Sequence, residues 1–108
     1  MENKTPVVWV TQEMPRFNYT SAEKFGDVKF VTATDFNNMV NSIHNRDLVD
    51  NITRTLRDFD FDRDYIAPTG SPIISMAVMA VLGRKCKKFK ILKWDNRDYV
   101  YVPLTVEI

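Results

Sequence analysis

Hydrophobic and polar positions change period several times along this chain, and each change marks an element. Val7-Val8-Trp9-Val10-Thr11-Gln12 is an unbroken β-branched and aromatic run, the pattern of a strand buried on both faces, and Pro15 closes it. Ser21-Ala22-Glu23-Lys24-Phe25-Gly26 combines an N-cap residue, one turn and a glycine stop, which predicts a very short helix. Asp27-Val28-Lys29-Phe30-Val31-Thr32 alternates, as a half-buried strand near a sheet edge does. Over residues 34–58 two helical stripes run out of phase. Phe36, Met39, Val40 and Ile43 form one, and Leu48, Val49, Ile52 and Leu56 the other, while extending the first lands on Asp47, Asp50 and Asn51. A break near His44-Asn45-Arg46 accounts for this. It predicts a helix over about 47–58 and leaves 34–45, with Asn37, Asn38 and Asn41, as either helix or ordered loop.

The second half reads more sharply. Tyr65-Ile66-Ala67 is a third strand, and Pro68-Thr69-Gly70 turns from it into Pro72-Ile73-Ile74-Ser75-Met76-Ala77-Val78-Met79-Ala80-Val81-Leu82. Ser71 suits the N-cap, Pro72 the first helical position and Gly83 the stop. Ser75 is the only polar side chain between those ends, so this helix is expected to be almost wholly buried, within one molecule or between two copies. Lys88 to Trp94 is a fourth strand and Tyr99 to Val106 a fifth. Asp95-Asn96-Arg97-Asp98 turns between them, with Asn96 the residue expected to be left-handed. Helices between consecutive strands imply right-handed parallel crossovers. The expected fold is one α/β domain over 1–108, of two or three layers: a mainly parallel sheet of about five strands, a C-terminal antiparallel hairpin and a buried apolar helix.

Bulk charge narrows the function classes. Fifteen basic and fourteen acidic side chains nearly cancel, which argues against a uniformly basic nucleic-acid binder or an acidic DNA mimic. Cys86 is the single cysteine, so no internal disulfide or thiolate zinc cluster is expected, as in a reducing cytoplasm. The polar lead-in at residues 1–4 is no signal region, and the longest apolar run is about half the roughly 20 residues needed to span a membrane.

Candidate chemistry gathers at the strand-to-helix turn Thr69-Gly70-Ser71. Ligands of parallel α/β sheets bind at this end of the strands, where free N–H groups and the helix dipole favour anions. If the first and third strands are parallel, Gln12 and Glu13 leave the sheet at the same edge. Gln12, Arg16 and Tyr19 are then the side chains expected to meet a small anionic ligand. The plainer reading is a helix cap. There is neither a dinucleotide fingerprint nor a P-loop, Pro72 removes one N–H, and Gln12 can satisfy loop backbone groups instead. His44, the only histidine, has no oriented partner in the sequence and reads as a surface residue at a helix end. Cys86, among lysines, lacks a nucleophile signature. The run Arg84-Lys85-Cys86-Lys87-Lys88-Phe89-Lys90, followed by Lys93, is either a phosphate-binding patch or a solvated turn after a helix C-terminus. The acids of Asp58-Phe59-Asp60-Phe61-Asp62-Arg63-Asp64 alternate with phenylalanines and lack a calcium-loop glycine.

Several segments in order resemble a family of small proteins of tailed bacteriophages: Trp9-Val10-Thr11-Gln12-Glu13, Ser21 to Val28, Asp64-Tyr65-Ile66 with Gly70-Ser71-Pro72, Leu92-Lys93-Trp94-Asp95 and Tyr101-Val102-Pro103. Residues 33–58 stand apart from it. The resemblance implies a phage protein in an infected bacterial cytoplasm and transfers no catalytic residue. With the small size and the lack of a catalytic constellation, it leads to the expectation of a non-enzymatic accessory protein that binds a host or phage partner protein. Binding of a nucleotide or phosphate at Gly70-Ser71, and of nucleic acid by the 84–93 run, are the alternatives. No cofactor, metal or membrane contact is expected, and a homo-oligomer is left open.

Overall fold

In the computed structural model, which describes residues 5–108, five strands form one mixed sheet in the order β2-β1-β3-β4-β5. Residues 1–4, the polar lead-in, lie outside the described residues. β1 (Val7–Gln12), β2 (Asp27–Thr32), β3 (Tyr65–Ala67) and β4 (Lys88–Asp95) run parallel, and β5 (Val100–Glu107) returns antiparallel along β4. β1 is central and buried on both faces; β2, at the edge, alternates, as its pattern requires. One crossover face carries α1 (Ile43–Thr55) and α2 (Pro72–Leu82), packed on Trp9, Ile66 and Phe89. The other carries only a 3-10 helix, Thr20–Phe25, with an aromatic layer of Phe17, Tyr19, Phe30, Trp94 and Tyr101. That short helix begins one residue before Ser21, and its first amide donates to Asn18 Oδ1 at 2.9 Å.

Three expectations need correction. The first concerns residues 34–58. There is no break at His44-Asn45-Arg46; these residues form the first turn of a single helix, and the chain before them is irregular. Its asparagines outcompete a helix by bonding the backbone locally. Asn45 accepts from Asn37 N at 2.8 Å and donates to Asn37 O and Met39 O, Asn37 Nδ2 reaches Ser42 Oγ, and Asn41 sits at φ 59°. Ser42 then caps α1 by accepting from Asn45 N. Of the first apolar stripe only Phe36 packs on the core; Met39, Val40 and Ile43 face water.

The second concerns α2, which is not wholly covered within one molecule, the first of the two arrangements expected for it. Ile74, Val78 and Leu82 are buried against the sheet, each contributing about 2 kcal/mol. Ile73 is 54% and Met76 66% exposed. Two helices cannot cover five strands, and among the described residues neither α-helix is seated on β5. The ends of α2 also differ from expectation. Ser71 holds the N-cap position without a side-chain cap, and Gly83 stays right-handed at φ −64°, so the helix loosens into a turn rather than stopping on a left-handed residue.

The third is the β4–β5 turn, where Tyr99 (φ 53°), not Asn96, is left-handed, while Asp95 Oδ1 accepts from Arg97 N at 2.8 Å. The hairpin register pairs Leu92 with Pro103, and Ile108 N donates inward to Lys87 O. Amides alternate along a strand, so the even-numbered ones of β5 point at β4 and Pro103 lies on the free edge, where its missing N–H breaks no internal bond.

The amino edge of the sheet is stitched by Asp64, which is 4% exposed. Its carboxylate accepts from Trp9 Nε1 (2.8 Å), Val7 N (2.9 Å) and Asp60 N (2.9 Å). The last acid of the 58–64 run is thus a buried structural acceptor.

Candidate functional site

At the opposite, carboxyl edge, β1 leads away towards β2 and β3 away towards β4. Such a point of divergence opens a crevice where doubly wound sheets bind their ligands. The sequence builds its walls from two loops. Residues 13–19 leave β1 through a tight turn, with Phe17 N donating to Met14 O at 3.1 Å and Met14 N to the Tyr19 hydroxyl at 2.8 Å. Residues 68–71 leave β3 through Gly70 at φ 81°. Between them lies an open, mainly apolar cleft of about 610 Å³, lined by Met14, Pro15, Arg16, Phe17, Thr69 and Gly70.

Beneath the cleft, two residues at the end of β1 lock the loops together. Thr11 is fully buried; its Oγ1 accepts from Thr69 N and donates to Thr69 O, both at 2.9 Å, and lies 3.3 Å from Ser75 Oγ. Gln12 Oε1 accepts from Ser71 N at 2.6 Å and its Nε2 donates to Thr34 O at 3.2 Å. A side chain on Gly70 would run into the Gln12 amide, so the close approach that this glycine permits is that of Gln12. With Ser71 N engaged and Pro72 lacking an N–H, the first-turn amides of α2 without an intrahelical acceptor are those of Ile73 and Ile74.

The expected site residues therefore divide. Arg16, Thr69 and Gly70 line the cleft, with Arg16 exposed beside it. Gln12 and Ser71 hold its floor. Tyr19 supports a wall, its ring between Phe17 (4.9 Å) and Phe30 (5.1 Å). Sequence reasoning missed Met14, Pro15, Phe17 and Thr11; the readable signal for Thr11 was a hydroxyl directly after four apolar residues in a strand expected to be buried on both faces. It also missed Tyr101. Its hydroxyl is buried without a hydrogen-bond partner among the described residues. Burial pushes its pKa above the usual 10.0 and neighbouring Tyr19 adds to the rise, while the Thr69 side chain offsets part of it without making a hydrogen bond of normal geometry.

The basic run does not converge on the cleft or on one face. Arg84, Lys85 and Lys87 lie in the turn after α2. Lys88 and Lys90 project from one face of β4 and Lys93 from the other, while Lys90 Nζ donates to Asp62 O at 2.8 Å and lies over the Tyr65 ring. His44 Nε2 lies 2.7 Å from Asp35 O, and Cys86 Sγ donates to Lys88 O at 3.3 Å. No described helix is long and apolar enough to cross a membrane.

These features define a small doubly wound α/β protein with an apolar cleft at its switch point. Residues 6–108 match the family model described as Phage Pam3 gp32-like protein, and the chain belongs to that family. Neither the curated proteins nor the solved structures contain a match.

Proposed function

We propose that this chain is a non-enzymatic phage accessory protein that acts in the host cytoplasm by holding a segment of a partner protein, from host or phage, in the switch-point cleft. The observation behind this reading is the lining itself. Met14, Pro15 and Phe17 offer an apolar seat, Thr69 and Gly70 a backbone-rich side, and exposed Arg16 the one charge. Such a seat suits an apolar anchor residue, and the guanidinium suits a carboxylate beside it. Selection of displayed peptides on the wild-type chain is expected to return an apolar residue flanked by Asp or Glu. Met14→Asp and Arg16→Glu should each weaken the purified peptide about tenfold or more. Peptides that bind both variants as well as wild type would refute the reading. Affinity purification from infected cells with wild type and Met14→Asp side by side then identifies the natural partner as the protein lost with the variant.

The Tyr101 hydroxyl, without a hydrogen-bond partner among the described residues and close to Thr69 of the cleft, favours a second reading, a small anionic ligand contacting Arg16 and the first amides of α2. A nucleotide or phosphate that raises the melting temperature of wild type but not of Arg16→Glu would select this reading over the first.

A further inference from the structure

The helical face of the sheet is incomplete, and its uncovered part is apolar. β5 is an edge strand whose even-numbered side chains Val100, Val102, Leu104 and Val106 pair with Asp95, Lys93, Ile91 and Phe89, which places them on the face that carries α1 and α2. They are 36–41% exposed. The orientation of α2 follows from Ser75. Each residue turns a helix by about 100°, so Ile73 and Ser75 flank the buried Ile74 on opposite sides. Ser75 leans towards Thr11 on β1, and Ile73, followed by Met76 further round, therefore leans the other way, towards β4 and β5. The result is a step, with β5 as the tread and the exposed flank of α2 as the riser.

The geometry points to a second copy of this chain as the occupant, with each copy's Ile73–Met76 ridge seated on the other's β5 across a two-fold axis. Three observations favour a copy over a different protein. Each molecule carries both the ridge and the shelf that receives it, as an isologous contact requires. These six side chains leave roughly 500 Å² of apolar surface, and two copies together bury about 1,000 Å², the threshold for a specific interface. The six contact side chains are all apolar, as the core of a homodimer contact is, while the charged groups beside Val100, Val102 and Leu104, namely Lys93, Asp95 and Arg97, gather towards the hairpin end, where Lys93 can carry its ammonium to a polar rim on an aliphatic stem. Pro103, which removes a donor from the free edge of β5, disfavours the other symmetric arrangement, edge-to-edge extension of the sheet.

Two measurements test this. Sedimentation of wild type from micromolar to submillimolar concentration should give twice the 12.6 kDa chain mass, and Met76→Glu and Leu104→Lys, both at exposed positions, should give folded monomers. Val49→Glu, at an exposed apolar site on α1, should remain a dimer. In wild type, Met76 and Met39 are almost equally exposed in one molecule, at 66% and 68%. Peroxide should nevertheless oxidise Met39 several-fold faster, read by peptide mass spectrometry, because only Met76 lies in the contact. A wild-type monomer throughout, a dimer that survives both ridge and shelf substitutions, a dimer dissolved by Val49→Glu, or equal oxidation of the two methionines would each overturn the assignment.

Discussion

Gly70→Ala is expected to cost about 2–5 kcal/mol from two separable sources. An alanine held at φ 81° pays the left-handed penalty of about 1–2 kcal/mol. Its methyl group also meets the Gln12 amide and pushes it away from Ser71 N and Thr34 O; losing the shorter of those bonds costs about 1–3 kcal/mol, because it leaves a partly buried N–H unpaired. The two sources are distinguished by a double-mutant cycle. In a Gln12→Ala background the second is already lost, so the combined substitution should cost less than the sum of the single ones by about 1–2 kcal/mol. The residual Gln12 Cβ, 3.0 Å from where the alanine methyl would sit, keeps the relief partial. Urea unfolding followed by far-ultraviolet circular dichroism at one fixed protein concentration measures all four chains, the fixed concentration removing any contribution from association. Additive costs would refute the locking role of Gln12. So would a Gly70→Ala chain within a few tenths of wild type.

Asp64→Ala should lose about 3–5 kcal/mol, since the buried Trp9 indole and two backbone amides lose a charged acceptor together; a loss below about 1 kcal/mol in the same assay would show that they find other partners. Tyr101→Phe should be neutral or slightly stabilising, because it removes a buried hydroxyl that has no partner among the described residues. The same substitution should alter alkaline unfolding. The raised pKa of Tyr101 means that the folded state keeps its proton when the unfolded state loses it, so wild-type stability is complete below about pH 10 and falls as pH rises towards the folded value. Tyr101→Phe should flatten that fall, and an unchanged alkaline profile would contradict the assignment.

Most strands and α2 could be read from the sequence because their signals are local. The unbroken run Val7–Gln12 can only be a doubly buried strand, and Gly70-Ser71-Pro72 marks a helix start by backbone restriction alone. Residues 33–42 could not be read, because apolar spacing suited a helix while Asn37 and Asn45 make bonds, and Asn41 takes a left-handed conformation, that only the folded loop reveals. The all-round apolar surface of α2 showed what that helix is able to bury, whereas cover depends on how many other elements share its layer. The meeting of the two loops at the carboxyl edge was legible, but its detail was not. Parallel β1 and β3 bring the two loops together as pattern implied, yet the roles of Thr11 and Gln12 depend on which amides they face.

The thin cover on the far face of the sheet leaves the protein with its own optical gauge. Because a short 3-10 helix stands where a full α-helix would lie, aromatic rings fill the space. Trp94 packs edge-on against Phe17 of the cleft at 5.3 Å and against Tyr101 at 5.0 Å. Trp9 sits on the other face, bonded to Asp64 at the amino edge. Anything that seats against Phe17 therefore shifts the emission of one indole and leaves the other as an internal standard. Trp94→Phe and Trp9→Phe chains would assign the two signals without any label added to a molecule of this size.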